Sequence, residues 1–218
     1  MKNGFLITFE GIEGCGKTTQ AQKLYEYFIE KKYDVILTYE PGATKIGKSI
    51  REILLSIKNS NIDSYTEFFL YLADRTQHLF EIIYPNYKEG KIIICDRYYY
   101  STAVYQGIAR NIGLKNVELF HSIMPFFIKP DLTFIIDVSV EESTKRTAAR
   151  IKERNENDLI RFESEAKSFH EKLRHGYLEV AKKDPSRIIL IDGMREVEKI
   201  TEDIIKNIKN FGIIKDEH

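Results

Sequence analysis

Five short apolar runs rich in β-branched residues punctuate the chain: Phe5 to Phe9, Asp34 to Thr38, Lys91 to Cys95, Leu132 to Asp137 and Arg187 to Ile191. Each has the length and composition of a strand covered on both faces. Between them the apolar spacing turns helical, over about Thr18 to Lys32, Gly47 to Lys58, Ser64 to Lys88, Thr102 to Arg110, Lys115 to Ile128, Val140 to Glu153, Glu163 to Lys183 and Glu196 to Asn210. Strands alternating with helices predict an α/β fold, a three-layer α/β/α sandwich around a five-stranded parallel sheet. In such sheets ligands gather at the carboxyl ends of the strands, so the informative residues should follow the apolar runs.

The first run supplies the strongest of these. Gly11 to Thr18 reads GIEGCGKT, which fits the phosphate-loop pattern G-x-x-x-x-G-K-[ST] and lies between a strand and a helix as that pattern requires. Its glycines let backbone amides turn onto phosphate oxygens, the helix N-terminus favours the anion, and Lys17 can reach the β and γ phosphates. A nucleoside triphosphate is therefore expected on Gly11, Ile12, Glu13, Gly14, Cys15, Gly16, Lys17, Thr18 and Thr19. Thr18 is the expected magnesium ligand.

The third run closes on Asp96 and the fourth on Asp137, both in the form of an acid that assists the metal of a phosphate-loop protein. Asp96 is preferred, acting on Mg2+ through water, because Arg97 and a block of polar and aromatic residues follow it; Asp137 is assigned a structural hydrogen bond. No guanine-reading Asn-Lys-x-Asp occurs. The chain is read as a kinase of small molecules, with a nucleotide-binding regulatory module as the alternative from another class.

Composition narrows the partners. Among 218 residues, Lys plus Arg and Asp plus Glu are both 33, a formal net charge of +0, which disfavours a nucleic-acid or anionic-membrane surface. The two cysteines, Cys15 and Cys95, form no disulfide or zinc pattern, and neither a leader-like apolar segment nor a membrane-spanning stretch is evident. A cytoplasmic protein is expected, one domain over residues 1–218 with a helical lid at about 145–161. The five histidines show no metal-ligand spacing.

The remaining loops carry arginines: Arg51 in the helix after Glu40-Pro41-Gly42-Ala43-Thr44, Arg75 in Phe69-Leu70-Tyr71-Leu72-Ala73-Asp74-Arg75, and Arg97 after Asp96. Together with GIEGCGKT and the block DRYYYSTAVYQG at Asp96 to Gly107, they make nearly the whole chain resemble the thymidylate kinases, phosphate-loop enzymes that pass the ATP γ-phosphate to dTMP. The resemblance implies a homodimer, a nucleoside monophosphate kinase-like fold, and ATP and dTMP as substrates in dTTP biosynthesis. It further implies Arg51 and Arg97 on the acceptor phosphate, Glu40 and Glu13 near sugar and metal, Tyr71 stacked on thymine and Arg75 at thymine O4. Thr102 and Gln106 would contact the base, and Tyr105 would crowd the sugar 2′ position. A deoxynucleoside kinase is the closest rival, but a neutral hydroxyl acceptor gives Arg51 and Arg97 less to do.

The chain departs from the family pattern at Tyr39, Ala43, Tyr71, Val104 and Ile160. Neither Glu13 nor any other variable position of the phosphate loop is basic, so transition-state charge must come from elsewhere. The basic run Lys145 to Arg154 resembles the lid of many bacterial members. Arg150 is the expected γ-phosphate finger with Arg154 in reserve, Lys17 and Arg97 complete the catalytic set, and Arg146 is expected to pack on adenine.

Overall fold

The computed structural model describes residues 4–154 and 161–213, the side chains of residues 153, 154, 163 and 164 excepted. Its five strands are β1 (Phe5–Glu10), β2 (Val35–Tyr39), β3 (Ile92–Asp96), β4 (Leu132–Asp137) and β5 (Ile188–Asp192). They form one parallel sheet in the order β2-β3-β1-β4-β5. Side chains on both faces of β1, β3 and β4 are buried, which is why their sequences read as continuous apolar runs rather than alternations.

Chain direction reverses across the sheet at β1, which pairs with β3 on one side and β4 on the other. A crevice opens outside the carboxyl end of a strand at such a reversal. The segment leaving β1 there is the phosphate loop. Helix α1 (Lys17–Glu30) follows it, and α2 (Lys45–Leu55), capped by Thr44 Oγ1 on the Gly47 N–H at 2.9 Å, follows β2.

The apolar pattern over Ser64 to Lys88 becomes α3 (Ser64–His78), a wider π-helical turn at Leu79–Ile83, and α4 (Tyr84–Lys88). Pro85 has no N–H to offer the carbonyl one turn back, and the wider turn absorbs the missing bond. Helix α5 (Tyr99–Thr102) starts three residues before the expected helix and runs into a second π turn at Ala103–Ala109. Helix α6 (Leu114–Ser122) ends well short of the expected Ile128.

Three longer helices, α7 (Val140–Arg154), α8 (Lys167–Lys183) and α9 (Val197–Asn210), complete the set, with a 3-10 turn at Arg161–Ser164. Helix α8 lies close on the second π turn. A Cβ at Gly176 would stand 2.9 Å from Val104 Cγ1, so the missing side chain on α8 accommodates the larger residue at position 104. Asp137, at the end of β4, pairs with Arg174 of α8 through both carboxylate oxygens at 2.7 and 2.9 Å. That is the structural part expected of it.

Candidate active site

The glycines of the phosphate loop are there for geometry. Gly14 and Gly16 have φ of 68° and 102°, left-handed values that favour glycine, and a Cβ at Gly16 would meet nothing within 4 Å, so backbone strain rather than crowding calls for glycine there. Lys17 rests its ammonium on the Ile12 carbonyl at 2.8 Å, inside the loop it would serve. Helix α7 is anchored on the same loop by Ser143 Oγ donating to the Glu13 carbonyl at 2.6 Å.

Thr18 at the start of α1 donates its hydroxyl to Asp96 Oδ2 at the end of β3. The other oxygen, Asp96 Oδ1, is buried and has no hydrogen-bond partner among the described residues. No cluster of three or more His, Cys, Asp or Glu suited to a metal exists among the described residues. One hydroxyl plus one carboxylate with a spare oxygen nonetheless fits Mg2+, which keeps several waters and takes substrate phosphates as ligands.

Farther along the same side of β1, where the chain leaves β2, stands an arginine clamp. Arg75 of α3 is 1% exposed, and four of its five N–H groups are committed. Nε and Nη2 donate to Glu40 Oε2 at 2.9 and 2.6 Å, and Nη1 donates to Thr102 Oγ1 and His121 Nε2, both at 2.8 Å. Burial, then the Arg75 charge, push the His121 pKa down to about 3. The ring is therefore neutral, accepting from Arg75 and donating Nδ1–H to the Val117 carbonyl at 2.7 Å. Burial opposes charge on Glu40, but Arg75 and His78 outweigh it and hold the carboxyl below its ordinary range. His78 donates Nδ1–H to Glu40 Oε1 at 2.9 Å and belongs to the core.

Arg97 adopts a left-handed φ of 67°, unusual for arginine and the kind of local strain that accompanies functional positions. The turn brings Nη1 to the Gly11 carbonyl at 3.1 Å and Nη2 to Glu13 Oε1 at 3.2 Å. Tyr105, on the second π turn, donates its hydroxyl to the same Glu13 oxygen at 2.5 Å. Burial pushes the Tyr105 phenol well up, so it stays a donor. At Glu13 burial disfavours charge, yet Arg97 and Lys17 prevail and hold the carboxyl below its usual range.

Gln106 donates Nε2 to Glu67 Oε1 at 2.7 Å. A carboxylate can only accept, so this bond fixes the amide orientation and commits the nitrogen, leaving the carbonyl oxygen of Gln106 as the free end. Glu67 in turn accepts from Arg161 Nη2 at 2.6 Å, and Arg161 Nε donates to the Leu54 carbonyl at 2.9 Å. The turn at Arg161–Ser164, which begins at the end of the expected lid, is thereby fastened to α2 and α3.

These groups share one cleft of about 900 Å³. Of the expected site residues it is lined by Glu13 to Thr19, Glu40, Arg51, Tyr71, Arg75, Asp96, Arg97, Thr102, Tyr105, Gln106, Arg146 and Arg150. Gly11 and Ile12, at the start of the loop, do not line it, and the Arg154 side chain and residues 155–160 of the expected lid are outside the described residues. Arg146 lines the cleft while paired with Glu142 at 2.8 Å along α7.

Tyr39, Ser101, Phe162, Arg195, Glu196 and Val197, which no motif marked as site residues, also line the cleft. The last three follow β5, where the rule that ligands gather beyond strand carboxyl ends would have placed them. Cys15 is only 1% exposed, so its thiol is shielded.

Residues 9–204 match the family model described as thymidylate kinase. The chain is 42% identical over 208 residues to the thymidylate kinase of Thermoanaerobacter sp. (strain X514), covering 95% of this chain and 98% of that one. It is 44% identical over 195 residues to the thymidylate kinase of Geobacter sulfurreducens, covering 89% and 92% of the two chains. The crystal structure of thymidylate kinase from Ehrlichia chaffeensis superposes with a TM-score of 0.74 at 32% identity, over 95% of this chain and 99% of that one. A phosphate loop, a metal-suited Thr18–Asp96 pair and an arginine-lined pocket thus meet in a chain that belongs to the thymidylate kinase family.

Proposed function

We propose that the protein transfers the γ-phosphate of ATP to dTMP, giving ADP and dTDP for dTTP synthesis. The observation that carries the reading is the shared cleft: the phosphate loop opens into the same cavity as Arg51, Arg97, Tyr71, Tyr105 and Gln106. A donor triphosphate on one side and a nucleoside monophosphate on the other would meet across it without either leaving the protein.

A phosphate monoester with a second pKa of about 6 is largely dianionic at neutral pH, so the attacking oxygen needs no strong base. Positioning and charge neutralisation suffice. Lys17 and the loop amides hold the donor phosphates, Arg97 and Arg51 hold the acceptor phosphate, and Arg150 from α7 supplies charge to the group in transit. Mg2+, when bound through Thr18 and by water to Asp96, neutralises charge developing on the phosphates.

Base recognition follows from committed hydrogen bonds. The free carbonyl oxygen of Gln106 suits the thymine N3–H, and the one N–H of Arg75 outside its clamp suits the O4 carbonyl. Tyr71 offers a flat apolar face, and burial followed by the Glu67 charge push its phenol pKa upward, so the ring stays neutral beneath a base. Tyr105, packed edge-on against Phe162 and hydrogen-bonded to Glu13, is too constrained to make room for a 2′-hydroxyl.

Two wider features join this reading. Phe69, Phe80, Leu119, Ile123 and Phe126 are 43–69% exposed on α3, the first π turn, α6 and the turn after it. Scattered apolar exposure is ordinary, but an aromatic face of this kind suits the homodimer usual in the family. Both cysteines are free, and no described helix is long and apolar enough to cross a membrane, which support a place in the cytoplasm. Sedimentation equilibrium tests the dimer. An assay of ADP release comparing dTMP with thymidine tests the reaction.

A further inference from the structure

Asp74 of α3 does not line the cleft, yet it is 1% exposed and carries a carboxyl oxygen, Oδ2, with no partner among the described residues. Buried polar atoms are nearly always satisfied, so such an oxygen calls for a reason. Its other oxygen, Oδ1, accepts the Gly42 N–H at 3.0 Å.

Gly42 belongs to the loop between β2 and α2, and Arg51 returns to that loop from α2. Arg51 Nη1 donates to the Pro41 carbonyl at 2.8 Å, and a Cβ at Gly42 would lie 2.7 Å from Arg51 Cδ. The loop backbone is therefore the surface against which the Arg51 side chain is set. On the far side of the loop, a Cβ at Gly47 in the first turn of α2 would stand 2.4 Å from Asp74 Oδ1. One carboxyl oxygen thus lies close to both Gly42 and Gly47, the two ends of the turn that leads into the helix carrying Arg51.

We propose that Asp74 is a positioning residue for the acceptor phosphate, its carboxylate holding the Gly42 amide so that the loop presents Arg51 to the cleft. The inference rests on the reading of Arg51 as a phosphate ligand. A bond from an amide to an ionised carboxylate is roughly twice as strong as one to a neutral carboxyl group. Ionisation therefore tightens the loop and protonation loosens it.

The charges facing Asp74 set where that change falls. Glu40 at the end of β2 opposes ionisation, whereas Gly42 N–H, His78 and Arg75 favour it; from α2 it meets the Gly47 backbone. Burial first, then Glu40, push the Asp74 pKa to about 7. Acceptor affinity should accordingly fall as pH drops through neutrality, beyond the fall caused by protonation of dTMP itself.

The test is the dTMP KM of wild type and Asp74→Asn from about pH 6 to about pH 8.5, with thermal melting to check folding. Asparagine keeps an oxygen for Gly42 but cannot ionise, and the titration of dTMP cancels in the ratio of the two enzymes. The variant should show a KM about three- to fivefold above wild type at the alkaline end, converging on wild type at the acid end. A ratio that does not change with pH overturns the proposal. Arg51→Ala separates the two readings: an unchanged dTMP KM there refutes Arg51 as ligand, whereas a raised one alongside a pH-independent ratio refutes only the role of Asp74. If Asp74→Asn fails to fold, Gly47→Ala pushes on the same oxygen from α2. It should raise the dTMP KM with the ATP KM unchanged, and an unaltered dTMP KM overturns the proposal.

Discussion

Replacing Arg161 by Met removes a guanidinium that is 4% exposed from a carboxylate, Glu67, that is 1% exposed. The pair is 2.6 Å apart. Breaking a buried pair from one side costs about 3–5 kcal/mol, because the remaining charge stays out of water. Glu67 would keep Gln106 at 2.7 Å and Arg110 at 3.5 Å, which places the loss toward the low end. Two further losses push the other way: the Leu54 carbonyl gives up its 2.9 Å donor, and Phe162 loses the guanidinium 4.4 Å above its ring. At ~2–4 °C per kcal/mol for a chain of this size, the expected drop in Tm is roughly 6–20 °C.

Calorimetry near neutral pH measures that drop, and a double-mutant cycle with Glu67→Gln identifies its origin. The double variant should melt well above the single Arg161→Met, since no uncompensated charge remains. Because Glu67 also orients the Gln106 amide, the single variant should raise the dTMP KM more than the ATP KM. A change in Tm below about 2 °C, or strictly additive single effects, would refute the assignment of Arg161 as the fastening of the lid's end.

Arg97→Ala should raise the dTMP KM by roughly 10- to 100-fold, the equivalent of losing charge-assisted bonds worth ~1.5–3 kcal/mol; a normal KM in initial-rate assays would remove Arg97 from the acceptor site. Arg150→Ala should lower kcat by at least about a hundredfold with little change in dTMP KM, and an unaltered kcat would move the finger elsewhere. Asp74 and Glu40 should affect the pH dependence of stability in opposite senses. The folded pKa of Asp74 is raised from 3.8 to about 7, so the stability it permits is full at low pH and is lost as pH rises through 7. Asp74→Asn should therefore gain on wild type by up to ~3 kcal/mol between about pH 5 and about pH 8 in urea titrations. Glu40, with a lowered pKa, contributes stability above the ordinary glutamate range that is lost on acidification, and Glu40→Gln should flatten the acid limb.

The strands were legible because burial on both faces demands unbroken apolar runs, and the phosphate loop because its glycines and lysine are required at fixed spacing. Helix ends were less so. The π turn at Leu79–Ile83 follows from Pro85, a local cause that could have been read, whereas the one at Ala103–Ala109 depends on packing against α8 across Gly176.

The buried polar network was missed although helix α3 announced it. Glu67, Tyr71, Asp74, Arg75 and His78 fall on the same helical face as the buried Phe68, Leu72 and Leu79. Charges on an apolar face cannot be solvated, and each needs a partner. Those partners, Glu40, Gly42, Arg161 and His121, come from three other segments, and no local pattern in the sequence names them.

A cleft built this way presents ATP to a nucleoside monophosphate rather than to a free hydroxyl or to water. Initial rates of ADP formation with ATP and Mg2+ alone, with dTMP added and with thymidine added test it most directly. ADP release should be rapid with dTMP and at background in the other two. Turnover indifferent to dTMP, or faster with thymidine, would contradict it.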